Sequence, residues 1–221
     1  MKQSVDKQQL LQSCGRLQFI SHFTERYSYL DAIRMALEGG CRWIQLRVKG
    51  ATDEEVRPKA IKAQTLCHHY GAVFIIDDRV ELVQAIKADG VHLGKNDMPV
   101  DQARQLLGEA YLIGGTANTF EDIERLSRQG ADYIGCGPFR FTTTKEKLSP
   151  LLGLEGYTIL LQQMAEHHIT TPLVAIGGIT PADIPDLAAC GIQGIALSGS
   201  ILRATDPVAT MHQVVQLIHP L

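Results

Sequence analysis

Three carboxylates follow two short apolar runs near the middle of the chain. Asp77 and Asp78 come directly after Val73-Phe-Ile-Ile76, and Asp97 comes shortly after Gly90-Val-His-Leu93. If these runs are neighbouring parallel strands, their C-terminal ends lie side by side, and Asp78 and Asp97 can share one divalent cation. Mg2+ suits such a pair, because it is held through one or two carboxylates and completes its octahedron with water and substrate phosphate oxygens. Either acid could instead cap a helix: Asp78 precedes the helical pattern Val80 to Ala88, and Asp97 precedes one starting near Pro99.

Other chemistry-bearing residues also sit at the ends of apolar runs. In Gln45-Leu-Arg-Val-Lys49, strand alternation sends Gln45, Arg47 and Lys49 the same way, delivering an amide and two cations to one place. Gly114-Gly-Thr-Ala-Asn-Thr119 offers hydroxyls and an amide with little bulk, Thr116 among them. Gly135-Cys-Gly-Pro138 leads into Phe139-Arg-Phe-Thr-Thr-Thr-Lys145, where Thr142, Thr144 and Lys145 can close over phosphate oxygens. Two late segments, Val174-Ala-Ile-Gly-Gly-Ile-Thr-Pro181 and Ile195-Ala-Leu-Ser-Gly-Ser200, put the amides of Gly177, Gly178, Ser198 and Gly199 at helix starts, a cradle for a phosphate monoester. A neutral cradle and a cationic, metal-equipped site are more than one phosphate needs. A diphosphate with Mg2+ and a second substrate bearing a monophosphate would use both, so the residues describe a transferase that displaces pyrophosphate. No His/Cys cluster has zinc spacing and no nucleophilic triad is visible. His92, inside a strand, reads as a packed core imidazole; His68, His69, His167 and His168 read as surface residues.

The elements that must position these residues follow a βα rhythm. Eight strands are predicted: Leu17 to Ile20, Trp43 to Leu46, Val73 to Ile76, Gly90 to Leu93, Tyr111 to Gly114, Tyr133 to Gly135, Leu173 to Ile176 and Gly194 to Leu197. Helical patterns such as Asp53 to Tyr70, Phe120 to Gln129 and Pro181 to Ala189 separate them, and glycines near helix ends (Gly40, Gly71, Gly130, Gly191) allow left-handed turns into the next strand. Eight such units with right-handed crossovers close into a single (β/α)8 TIM barrel, of the α/β class, over residues 16–221, with a polar extension over 1–15. An open doubly wound sheet is disfavoured, because no GxGxxG follows the first strand. The long irregular stretch 138–152 falls on the catalytic face, where loops of that length act as lids.

Composition narrows the function. With 221 residues and 45% hydrophobic side chains the chain can bury a full core, and its net charge of -3 supplies no basic footprint for nucleic acid. No apolar run reaches membrane-spanning length and the N-terminus has no signal-peptide core. Five cysteines without CxxC spacing (Cys14, Cys41, Cys67, Cys136 and Cys190) fit buried thiols in a reducing cytoplasm. Assembly as a homo-oligomer is left open.

Taken in order, Gln45-Leu-Arg-x-Lys49, Asp-Asp-x-Val-Glu-Leu82, Ala-Asp-Gly-Val-His-Leu-Gly94 with its following acid, Gly-x-Gly-Pro138, Thr-x-Thr-Lys145 and Ile-Gly-Gly-Ile-Thr180 resemble the thiamine phosphate synthase family over nearly the whole chain. The resemblance implies that 4-amino-2-methyl-5-(diphosphomethyl)pyrimidine loses pyrophosphate and the resulting methylene cation is captured by the nitrogen of 4-methyl-5-(2-phosphoethyl)thiazole. It implies Mg2+ on Asp78 and Asp97, and diphosphate on Arg47, Lys49 and Lys145. Gln45, Asp77 and Thr116 would stand at the pyrimidine, Thr142 and Thr144 near the reacting groups, and Gly177, Gly178, Ser198 and Gly199 at the thiazole phosphate. The chain departs from the family in having Asp77 where an asparagine is usual, Asn118 where a histidine is usual, and Arg140-Phe141 where Tyr-Pro is usual. Two alternatives share the fold: a thiazole tautomerase, which would rely on a histidine at position 118, and a non-catalytic regulator that binds a phosphorylated ligand.

Overall fold

The computed structural model describes residues 16–141 and 151–218. Eight parallel strands close into one barrel in sequence order: β1 (Leu17–Ile20), β2 (Trp43–Leu46), β3 (Val73–Asp77), β4 (Gly90–Leu93), β5 (Leu112–Ala117), β6 (Tyr133–Cys136), β7 (Leu173–Ile176) and β8 (Gly194–Leu197), the last pairing with β1. The described helices are α1 (Tyr29–Glu38), α2 (Asp53–His69), α3 (Val80–Ile86), α4 (Val100–Leu107), α5 (Phe120–Arg128), α6 (Gly153–Glu166), α7 (Ile184–Ala189), α8 (Gly199–Leu202) and α9 (Pro207–Ile218), with a 3-10 turn at Pro181–Asp183 before α7. The (β/α)8 expectation holds. The segment 1–15 expected as an extension lies outside the described residues.

Local chemistry explains where helices begin. Ser28 with Asp31, Thr52 with Glu55 and Thr119 with Asp122 each form a capping box at the start of α1, α2 and α5. Each box satisfies N–H groups that a first helical turn leaves without partners. At the other ends Gly40, Gly71, Gly130 and Gly191 do adopt positive φ, as their positions after helices require. Strand alternation then divides the core in two. Ile20, Trp43, Val73, Ile75, Leu112, Tyr133, Val174 and Ala196 fill the barrel interior, while residues such as Phe19, Ile44, Phe74, Val91, Ile113 and Ile134 pack outward against the helices. Full burial of each such side chain contributes about 1.5–3 kcal/mol relative to exposure. Two carboxylates at the foot of the barrel pin the register: Asp89 accepts from Phe74 N–H at 2.9 Å, and Asp132 from Ile113 N–H at 2.8 Å.

One boundary matters for the site. The fifth strand does not stop at Gly114: Gly114, Gly115, Thr116 and Ala117 all pair with β6. Glycine is depleted in strands, which is why the sequence suggests an earlier end. Here its missing side chain is what the packing needs, since a Cβ on Gly114 would lie 2.1 Å from Tyr133 Cζ. Thr116 is therefore a strand residue on the same inward-facing series as Leu112.

Candidate active site

Strand parity decides which side chains enter the barrel mouth. The inward series of β2 runs Trp43, Gln45 and on to Arg47 and Lys49 beyond the strand; that of β3 ends at Asp77, that of β4 at His92, that of β5 at Thr116 and that of β8 continues to Ser198.

Asp77 gathers the β2 residues. Gln45 Nε2 donates to its Oδ1 at 3.1 Å, and Lys49 Nζ and Arg47 Nε lie 3.1 Å and 3.4 Å from its Oδ2. Burial, followed by the neighbouring Asp78 charge, raises the Asp77 pKa, against the pull of Lys49 and Arg47. Lys49 also pairs with Asp78. Its half-burial would lower its pKa, but the two carboxylates outweigh that and raise it.

Asp78 has the parity of an outward residue, yet it serves the mouth. Its backbone turns through φ +66°, a left-handed conformation unusual outside glycine, with its N–H donating to His92 O at 2.8 Å. The turn brings its carboxylate to Lys49 and beside that of Asp97. Asp97 in turn accepts from Gly94 N–H at 2.6 Å. Burial and then the Asp78 carboxyl raise the Asp97 pKa, whereas burial would also raise that of Asp78 but its neighbours Asp97 and Lys49 prevail and lower it. Neither acid caps a helix: α3 starts from Arg79 and α4 from Pro99, both without a side-chain cap. The capping alternative fails because both carboxylates are committed to the mouth.

These residues fit a hard divalent cation. The cluster holds one more carboxylate than cation, and Asp78 Oδ1 is buried without a hydrogen-bond partner among the described residues. Among those residues no group of three or more His, Cys, Asp or Glu forms a ligand set, so an ion here would draw its remaining oxygens from water and substrate. A cavity of about 400 Å³ opens beside Asp97, lined by Gly94, Met98 and Thr116 together with Val100 of α4 and Asp122 and Arg125 of α5; Asp77, Asp78, Arg47 and Lys49 do not line it.

Across the mouth, Gly177 and Gly178 take φ of +95° and +71°, a turn that presents backbone to the opening. Arg140 straps this turn. Its guanidinium makes a two-pronged pair with Asp183 at 2.6 and 2.7 Å and donates to Gly178 O at 3.2 Å. Burial would raise the Asp183 pKa, but hydrogen bonds from Arg140 and then Thr180 prevail and lower it. Ser198 precedes Gly199 at the start of the short α8, and the Ser198 hydroxyl donates to Ile20 O while His22 Nδ1 lies 2.8 Å from its oxygen. With that hydroxyl proton spoken for, the imidazole donates. Burial, then the charges of Arg203 and Arg47, lower the His22 pKa.

Gln45, Arg47, Lys49, Asp77, Asp78 and Asp97 thus form one cluster; Thr116 stands beside it, and Gly177, Gly178, Ser198 and Gly199 lie on the β7 and β8 side of the same face. Thr142, Thr144 and Lys145, and with them residues 142–150 of the expected lid, lie outside the described residues. Several functional neighbours were missed from sequence. His22 continues the inward period-two series of Gln18 and Ile20, a signal that was there to be read. Arg79 carried none: it pairs with Asp53 and donates to Val48 O and Ala51 O at 3.1 and 2.6 Å, bracing the loop that bears Lys49. Asn118, the position where a histidine would mark a tautomerase, donates its amide to Gly137 O. His92 is more than a packed imidazole, since both ring nitrogens hold hydroxyls.

Comparison with known proteins agrees with this arrangement. The family model described as thiamine monophosphate synthase matches residues 17–201. A thiamine-phosphate synthase of Phocaeicola vulgatus is 63% identical, with 91% of this chain and 97% of the relative covered, and one of Bacteroides thetaiotaomicron is 60% identical, with 91% and 96% covered. Among solved structures, a thiamine phosphate pyrophosphorylase from Pyrococcus furiosus superposes with a TM-score of 0.82 at 29% identity, covering 94% of this chain and 97% of that one. The family match runs from the first barrel strand into the helix after the last, and the chain belongs to the thiamine monophosphate synthase family.

Proposed function

We propose that the chain is a transferase that makes thiamine phosphate, joining the pyrimidine diphosphate to the thiazole phosphate with release of pyrophosphate. The observation that supports the reading is that one barrel mouth brings together two dissimilar features, a cluster of acids and cations on β2 to β4 and a glycine turn with a serine-headed helix on β7 and β8. One suits a diphosphate with a cation, the other a phosphate monoester. Asn118, bonded to a main-chain carbonyl, leaves a tautomerase without its acid or base.

In the proposed reaction Arg47 and Lys49 hold the diphosphate and stabilise the charge that grows on it as the methylene carbon–oxygen bond breaks, the electron pair leaving with oxygen. Lys145 joins them, and Thr142 and Thr144 stand near the reacting carbon, on the strength of the family motif. Gln45 presents a buried Oε1 with no partner among the described residues, its Nε2 being bonded to Asp77; that oxygen suits the amino group of an aminopyrimidine. Thr116 faces the same ring. Gly177, Gly178, Ser198 and Gly199 anchor the thiazole phosphate, so that the thiazole nitrogen attacks the cationic carbon and the new carbon–nitrogen bond forms. Asp78 and Asp97 would hold Mg2+, which when bound neutralises diphosphate charge and improves the leaving group. No protein nucleophile is required. Work in the cytoplasm, on small phosphorylated substrates, fits this chemistry; among the described residues no helix is long and apolar enough to cross a membrane.

Incubation with both substrates and Mg2+ should yield thiamine phosphate and pyrophosphate in equal amounts, and a chelator should stop it. Conversion of the thiazole without pyrophosphate release would refute the assignment. Asp77 offers a second test. Its carboxylate competes with the diphosphate for Arg47 and Lys49, so Asp77→Asn should lower the KM for the pyrimidine diphosphate by roughly tenfold, the equivalent of about 1.4 kcal/mol. Steady-state kinetics with the thiazole saturating would read it. An unchanged or higher KM would show that Asp77 does not restrain the two cations.

A further inference from the structure

Inside the barrel, below the mouth, four polar side chains from four strands form a chain of hydrogen bonds. Gln18 Nε2 on β1 donates to the hydroxyl of Tyr133 on β6 at 3.3 Å. That hydroxyl lies 3.0 Å from Nδ1 of His92 on β4, and His92 Nε2 lies 3.0 Å from Oγ1 of Thr116 on β5. Gln18 and His92 are 2% and 7% exposed, and Tyr133 1%. The rings are fixed by packing as well: Trp43 meets Tyr133 edge-on at 4.7 Å between centroids. Gly114 and Gly135 make the room, since a Cβ on the first would overlap the Tyr133 ring and one on the second would come within 3.0 Å of His92 Cε1.

We propose that His92 is a positioning residue that turns the Thr116 hydroxyl into a dedicated donor toward the ring nitrogens of the bound pyrimidine. This rests on the reading that Thr116 faces that substrate. The direction of the chain follows from the groups themselves. The Gln18 amide nitrogen can only donate, which spends an acceptor site on the Tyr133 oxygen. A phenol is a good donor and an imidazole nitrogen a better acceptor than a phenol oxygen, so the Tyr133 proton points at Nδ1 and the imidazole carries its own proton on Nε2. Nε2–H then donates to Thr116 Oγ1. With its oxygen engaged from below, the threonine hydroxyl sends its proton away from His92, on the side where the Thr116 side chain meets open space beside Asp97. Bonds running head to tail polarise one another, which strengthens the last donor in a site of low dielectric. The opposite tautomer would take the proton of Thr116 inward and present the pyrimidine nitrogen with a lone pair.

Two measurements decide this. In the full-length protein with ring-labelled histidine, the nitrogen resonances of His92, assigned by their loss in His92→Gln, are expected to show the neutral Nε2–H tautomer; an Nδ1–H tautomer overturns the proposal. In kinetics, His92→Leu is expected to lower kcat about 30-fold, less than the roughly 10²–10³-fold cost of losing a donor that meets the reacting system directly, while the KM for the thiazole phosphate changes less than twofold. His92→Gln, which keeps an N–H near the Nε2 position, should recover part of the loss. Placed in a Thr116→Val background, His92→Leu should cost less than threefold more. A full 30-fold loss in that background would mean that His92 merely supports the fold, and would overturn the proposal. Should His92→Leu not fold, the tautomer decides. Wild-type protein that releases no pyrophosphate yet shows the Nε2–H tautomer would count against the synthase reading and leave the orientation of Thr116 standing.

Discussion

Asp97→Asn is expected to lower Mg2+-dependent pyrophosphate release by about three orders of magnitude, in line with the loss of a group that meets developing charge. Affinity for the thiazole phosphate should stay within twofold, because its cradle lies on β7 and β8, away from the acids. Asparagine is the informative replacement. The native carboxylate also accepts from Gly94 N–H at 2.6 Å, and an amide oxygen can keep that bond while losing the charge. Asp97→Ala removes both, so a further fall from Asn to Ala measures what the loop anchor contributes. Pyrophosphate release and calorimetric binding of the thiazole phosphate are the two readouts. If Asp97→Asn loses both together, Asp97 is a structural residue and the metal reading of this pair is wrong.

Gly90→Ala should destabilise the protein by about 3 kcal/mol, at the upper end of what overpacking costs in a close-packed interior. A Cβ at this position would lie 2.1 Å from the backbone oxygen of Leu112 on the adjacent strand. No rotamer relieves that clash; β4 and β5 must separate, and they are the strands that carry His92 and Thr116. For a chain of this size the change corresponds to a fall of about 6–12 °C in Tm. Thermal and urea unfolding check it, and a shift of less than 1 kcal/mol would show that the two strands can part cheaply. The glycine of Ala-Asp-Gly-Val-His-Leu-Gly94 is thus explained by backbone proximity, and the aspartate beside it by its bond to Phe74 N–H. Neither needs a role in catalysis.

Much of this was legible in the residues. The eight strands and the inward series Gln45, Arg47, Lys49 rest on a short-range periodicity of two residues, which a sequence displays directly. So did the order of the strand-end motifs, because in a barrel built in sequence order every strand end reaches the same face. The fifth strand was cut short because its glycines read as a break, when they are the space that Tyr133 fills.

What the sequence determined by itself was therefore the barrel, the family and, among the described residues, the acids and cations that β2 to β4 bring to the mouth. Tertiary structure alone decided how those groups divide their work. Asp78 reaches the site through a left-handed turn that runs against its strand parity, Arg79 braces a loop from another unit, and His92 bridges Tyr133 and Thr116 from two other strands. The physical reason is range. Periodicity records which way a side chain leaves its own strand, whereas a hydrogen bond depends on atoms 3 Å apart that the chain separates by 24 or 41 positions, and their meeting is set by the closure of the barrel.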